Sequence, residues 1–167
     1  TAFANTFLYY LEEGVSVRPS QVIYDRGSSA FAEYDYKDVD FENILKDYDW
    51  LHLSGITPAL SYNCRRLIDK AIKAAKKYGT IVSYDLNYRP SMWSAIGGQA
   101  KAQEVNKEIA KYVDVMIGNE EDFTACLGFE IEGNDANLKE LNLDGYKKMI
   151  NEAAKAYPNF KAEIGRA

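Results

Sequence analysis

The ten residues from Thr80 to Arg89, Thr-Ile-Val-Ser-Tyr-Asp-Leu-Asn-Tyr-Arg, constrain the fold of this chain more than any others. Ile81, Val82 and Tyr84 favour a pleated, half-buried strand. The run ends abruptly in Asp85, Asn87 and Arg89, and Pro90 prevents a simple continuation of the ladder. On an extended backbone those three alternating side chains share one side. A parallel strand that delivers polar groups at its C-terminal end is where open α/β sheets bind ligands. The same residues also read as a charged turn leaving a strand, and this stretch alone does not separate the two.

The neighbouring segments favour the sheet. Trp50 to Gly55 reads as a strand running into a glycine turn. Leu60, Cys64, Leu67, Ile68, Ala71, Ile72 and Ala75 then form one helical stripe, which Gly79 closes in the C′ position. After Pro90 we expect a loop with Trp93 and Gly97-Gly98, then a helix to about Ala110. Val113 to Ile117 is a third strand, ending in Gly118-Asn119-Glu120-Glu121-Asp122. Asn119 is placed as the N-cap of a short helix containing Phe123 and Leu127. Leu143 to Tyr157 is a last helix. Strands alternating with helices through short links imply right-handed crossovers and a parallel sheet.

The N-terminal part has a different texture. Phe7 to Leu11 and Val22 to Arg26 are two strand candidates, the second closed by Gly27-Ser28-Ser29, and a connector with a short helix at Phe41 to Leu45 follows. Alternation puts Val22, Tyr24 and Arg26 on one face. A face of tyrosine and arginine suits a polar ligand, although an ordinary hairpin with a wet outer face has the same pattern.

Composition removes several function classes. A chain of 167 residues with a net charge of −5 has a real core but no basic stripe for nucleic acid. No apolar run has the length of a membrane span, and no signal-peptide pattern is seen. Cys64 and Cys126 make neither a disulfide framework nor a metal pattern, so the expected setting is reducing and cytoplasmic. The arginines and lysines between Arg65 and Lys77 fit a solvated helix face, and the lone His52 fits a structural role. There is no G-x-G-x-x-G after a strand, no P-loop and no G-x-S-x-G. Three strand ends remain, at Ser54-Gly55, Asp85-Asn87-Arg89 and Asn119 to Asp122. They suit a small molecule and a metal-bound phosphate without identifying a reaction.

Tyr9, Val22 to Arg26, and Leu51-His52-Leu53-Ser54-Gly55-Ile56-Thr57-Pro58-Ala59-Leu60, taken in order, resemble the ribokinase-like carbohydrate kinases of the phosphofructokinase B group. Asp85-Leu86-Asn87-Tyr88-Arg89 with Trp93, and Asn119-Glu120-Glu121-Asp122, resemble its 2-keto-3-deoxygluconate kinase branch. The resemblance implies an α/β fold, a parallel central sheet flanked by helices, with residues 1–36 as a small β lid and 37–167 as part of the nucleotide- and sugar-binding domain. It implies ATP and Mg2+ as cofactors, a sugar acid as substrate, and a possible homodimer through the lid. Tyr9, Tyr24, Arg26 and Arg89 would touch the substrate, and Asn87 and Asn119 would line the nucleotide phosphates. The family pattern Asn-x-x-Glu has Asp122 in its last place here, and Glu121 and Asp122 would reach the metal through water. The family's Gly-Ala-Gly-Asp segment, which supplies the anion hole and the base, does not occur in these residues. The expectation is therefore roughly the middle half of such a kinase, inactive by itself. A kinase for a neutral sugar such as ribose or fructose, or a non-catalytic sugar-binding or assembly fragment, stays open.

Overall fold

A computed structural model of the protein describes residues 6, 8–26, 29–130 and 143–165. Phe7 and the expected Gly27-Ser28 turn lie outside them. Strands β1 (Leu8–Glu12) and β2 (Gln21–Asp25) pair antiparallel, with Tyr9 opposite Tyr24. Helices α1 (Ala30–Glu33) and α2 (Phe41–Leu45) lead to β3 (Trp50–Ser54). Then come α3 (Ile56–Leu60), α4 (Tyr62–Tyr78), β4 (Ile81–Asp85), α5 (Pro90–Ser94) and α6 (Gly98–Ala110). Strand β5 (Val115–Gly118), α7 (Glu120–Leu127), α8 (Leu143–Ala156) and β6 (Ala162–Gly165) complete the described order.

The larger sheet is parallel throughout, in the order β3-β4-β5-β6. That arrangement and the flanking helices are the ones the strand-helix alternation predicts. Helix α4 starts where Ser61, in an extended conformation, accepts a hydrogen bond from the Cys64 N–H at 3.1 Å. It stops where Gly79 turns left-handed at φ 73°. Leu60 belongs to α3 instead of the α4 stripe, because Ser61 breaks the helix between them.

Several elements escaped the sequence pattern, α1 and α3 among them. The segment after Pro90 is helical: proline at the first helical position pre-sets φ, and Trp93, 1% exposed, anchors the turn beside Ala59 and Ala102. Strand β6 carries no apolar run, and Lys161 and Glu163 obscure it. It exists because its backbone pairs with β5, a non-local cause.

The core occupies one face of the parallel sheet. Leu51, Leu53, Val82, Tyr84 and Met116 pack against Ile68 and Ile72 of α4, Ile109 of α6, Phe123 of α7 and Met149 of α8. At the N-terminal end of the sheet, Asp114 gathers three donors. These are Lys76 at 2.6 Å, the Val82 N–H at 2.9 Å and Lys161 at 3.2 Å.

Candidate active site

The C-terminal ends of β3, β4 and β5 are tied edge to edge by backbone bonds. The Gly55 N–H donates to the Asp85 carbonyl at 2.7 Å, and the Leu86 N–H donates to the Ile117 carbonyl at 2.9 Å. Gly55 is obligatory here, since a Cβ would lie 1.9 Å from the Leu86 carbonyl oxygen. The loops that carry Asp85 to Arg89 and Asn119 to Asp122 are thereby held against one another.

The expected alternation of Asp85, Asn87 and Arg89 ends at Asp85. Asn87 adopts φ 41°, a left-handed conformation that asparagine tolerates better than most residues. Its amide Nδ2 approaches Ser54 Oγ at 3.4 Å, while its Oδ1 is buried with no hydrogen-bond donor. Arg89 is the N-cap residue of α5 and donates to its neighbour's carbonyl, that of Tyr88, at 2.8 Å. The rest of its guanidinium is exposed. The three residues therefore reach one rim by a turn instead of by a straight strand.

Asn119 is the N-cap that its sequence position suggests. Its side chain accepts from the Asp122 N–H at 2.7 Å, and Asp122 Oδ2 accepts from the Asn119 N–H at 3.0 Å, a reciprocal capping box. The other Asp122 oxygen accepts from the Tyr88 N–H at 2.7 Å. Asp122 is 3% exposed, and its carboxylate serves the backbone of both loops. Glu121 is exposed and Glu120 half-exposed on the same first turn, where carboxylates interact favourably with the helix dipole. Among the described residues, no group of three or more His, Cys, Asp or Glu side chains could hold a metal by itself. The donor set instead fits Mg2+, which keeps several waters and is held by one or two carboxylates together with phosphates.

The hairpin brings Tyr9, Tyr24 and Arg26 together. The two tyrosine rings lie 6.5 Å apart, and the Arg26 guanidinium carbon sits 3.9 Å from the centre of the Tyr24 ring. Arg26 Nη1 also reaches Met92 Sδ at 3.5 Å, so the hairpin meets α5, the helix that Arg89 begins. Met92 was missing from the sequence reading, although its place three residues after Arg89 in a Pro-initiated turn is a usable signal. Beneath the site, burial pushes the Cys126 thiol well up, and the neighbouring Asp122 charge adds to it. A thiol held neutral in this way is inert, not nucleophilic.

A model of the pfkB family of carbohydrate kinases matches residues 2–165. The 2-dehydro-3-deoxygalactonokinase of Haloferax volcanii is 36% identical over 132 residues, which are 78% of this chain and 39% of that protein. The 2-dehydro-3-deoxygluconokinase of Thermoproteus tenax is 32% identical over 127 residues, 75% of this chain and 37% of that protein. The crystal structure of 2-dehydro-3-deoxygluconokinase from Thermotoga maritima superposes with a TM-score of 0.81 at 42% identity, covering 93% of this chain and 44% of that one. The chain thus spans about two fifths of the length of these relatives.

Proposed function

The chain belongs to the pfkB family of carbohydrate kinases, and from that premise we propose that it is part of a longer kinase that transfers the γ-phosphoryl group of ATP to a sugar acid of the 2-keto-3-deoxy type. The names of the relatives support this choice of substrate. The observation that carries it is the contact of Arg26 with Met92, which sets a second guanidinium beside the helix that Arg89 begins. Two arginines at one small site suit two anions, a carboxylate and a phosphate. A guanidinium holds either through paired charged hydrogen bonds.

In this reading residues 1–36 form a lid over the sugar, and residues 37–167 are part of the body. Arg26 takes the substrate carboxylate, with Tyr9 and Tyr24 adding hydroxyl donors. Arg89 neutralises the group in transfer. Asn119 commits its Oδ1 to the cap, so its NH2 is what it offers to a phosphate. Asn87 lines the same side, where its buried Oδ1, an acceptor, suits a water or hydroxyl donor and not a phosphate oxygen. Mg2+, bound together with the nucleotide, would supply charge neutralisation for the phosphates. Glu121 would hold it through water, and Asp122 would fix the loop that presents Glu121. The base that accepts the hydroxyl proton belongs to the remainder of the polypeptide. Leu8, Tyr10 and Ile23, exposed on the hairpin face opposite Tyr9, favour pairing of lids between two subunits.

The test is a comparison of kcat/KM for 2-keto-3-deoxygluconate, ribose and fructose in the full-length protein. A hydrogen bond to a charged group contributes about 1.5–3 kcal/mol, so the acid should be preferred by roughly ten- to hundredfold. Arg26→Lys should erode that preference. Equal values for acid and neutral sugars would refute the substrate assignment.

A further inference from the structure

Arg26 and Met92 lie 66 residues apart in the chain, and Arg26 Nη1 donates to Met92 Sδ at 3.5 Å. The two partners are held in different ways. Met92 stands on a fixed support: Pro90 opens α5, the Met92 N–H donates to the Arg89 carbonyl at 3.0 Å, and the buried Trp93 packs with Ala59 and Ala102. The Met92 side chain is half-buried against the same cluster. Arg26 directly follows β2, whose five residues are all exposed. Ordering a long, rotamer-rich side chain at the end of such a hairpin costs entropy, so its direction depends on the groups that it touches.

Two of those groups fix the guanidinium in complementary ways. The centre of the Tyr24 ring lies 3.9 Å from its carbon, which sets the tilt of its plane. The bond to Met92 sets its rotation within that plane, because it holds one N–H by its direction. A carboxylate is taken through two parallel N–H bonds, so both angles decide whether the pair can form. A thioether sulfur is a weak, uncharged acceptor. It orients the guanidinium without cancelling its charge, whereas a carboxylate in its place would orient Arg26 and neutralise it at once.

We propose that Met92 is a positioning residue for substrate selection: its sulfur holds Arg26 at the angle that receives the carboxylate of a sugar acid. Met92 acts through Arg26 and not on the reacting atoms. The inference rests on the reading that Arg26 takes the substrate carboxylate. It adds that α5 carries both Arg89, placed at the group in transfer, and the residue that aims the carboxylate clamp.

The test compares kcat/KM for 2-keto-3-deoxygluconate and ribose in the full-length protein and in variants at this position. Met92→Leu keeps the volume and removes the acceptor. It should lower the acid-to-neutral ratio by about two- to tenfold, the range for one net hydrogen bond, chiefly through the KM for the acid. Met92→Gln returns an uncharged acceptor and should recover most of the ratio. Met92→Glu should abolish the preference, since its carboxylate pairs with Arg26 and repels that of the substrate. Equal loss in Met92→Leu and Met92→Gln would make Met92 a packing residue and overturn the proposal, as would a preference that survives in Met92→Glu. The wild-type ratio separates the two levels. No preference for the acid removes both readings, while a preference that Met92→Leu leaves intact removes the role of Met92 alone. Should a variant fail to fold, nuclear magnetic resonance of the unaltered protein with methyl-labelled methionine reads the same contact. The Met92 signal should move when the sugar acid binds and far less when ribose binds, and a signal indifferent to the acid would refute the proposal.

Discussion

Tyr24 and Tyr84 each stand fourth in a five-residue strand, yet Tyr24 is 51% exposed and Tyr84 is fully buried. Strand β2 has a single partner, β1, and all ten residues of that hairpin are exposed. Strand β4 lies between β3 and β5 under α4 and α6. The two phenols consequently do different work. The Tyr84 hydroxyl donates to Asn106 Oδ1 at 2.6 Å inside the core, and Asn106 in turn donates to the Ala102 carbonyl at 2.8 Å. Burial above all, with a smaller contribution from the nearby Asp85 charge, pushes the Tyr84 hydroxyl well above the ordinary range, which keeps it a neutral donor. Tyr24 supports an arginine at a rim. An isolated two-stranded hairpin is at best marginally stable, so its side chains are free to serve recognition, while those of β4 must first satisfy packing.

Substitutions can break this contrast at its strongest point. Tyr84→Ala should cost about 3–5 kcal/mol, the range for emptying a buried aromatic site, and more if Asn106 loses its donor. Urea unfolding of the full-length protein measures it, and a cost near zero would mean that β4 is not the packed centre of the sheet.

A smaller effect is expected at Asp114. Burial raises the pKa of its carboxyl group, but Lys76, the Val82 N–H and Lys161 together outweigh that and hold it below its ordinary value. A carboxyl group depressed in the folded state stabilises the protein above its unfolded pKa, near about 3.9, and that contribution is lost as pH falls through the folded value. Asp114→Asn should cost about 1–2 kcal/mol at neutral pH, since charged hydrogen bonds exceed neutral ones by that much and the two lysines are partly solvated. The gap between wild type and variant should close as pH falls through the acidic range below about 4. A gap that stays constant with pH would remove the ionic contribution.

The least effect on stability is expected in the hairpin, where the comparison is sharpened instead of broken. Tyr24→Ala should change stability by no more than about 0.5 kcal/mol, as exposed positions do, while raising the sugar KM. Calorimetry and substrate titration on the same variant separate the two. A parallel loss of folding and binding would place Tyr24 with Tyr84 as a structural residue.

Local chemistry was legible in the sequence. Gly79 ended α4, Asn119 capped α7, and the run from Thr80 formed the central strand. Each of those outcomes depends on interactions within a few residues, such as a side-chain oxygen meeting an N–H three places on. The motif order that marks the family was likewise visible without coordinates.

Tertiary structure decided what depends on distant partners. Sequence places Asp122 among the acids of the strand end, and only the fold puts its two oxygens on the N–H groups of Tyr88 and Asn119. Asn87 left the extended path because its loop turns left-handed between Ser54 and the capped helix. Strand β6 follows from backbone pairing with β5 that no residue pattern announces. The packing of α4, α6, α7 and α8 on one face of the sheet follows from strand order, and strand order is set by non-local packing. Hydrophobic periodicity says that a residue will be buried on some face, but the choice of face belongs to the whole assembly.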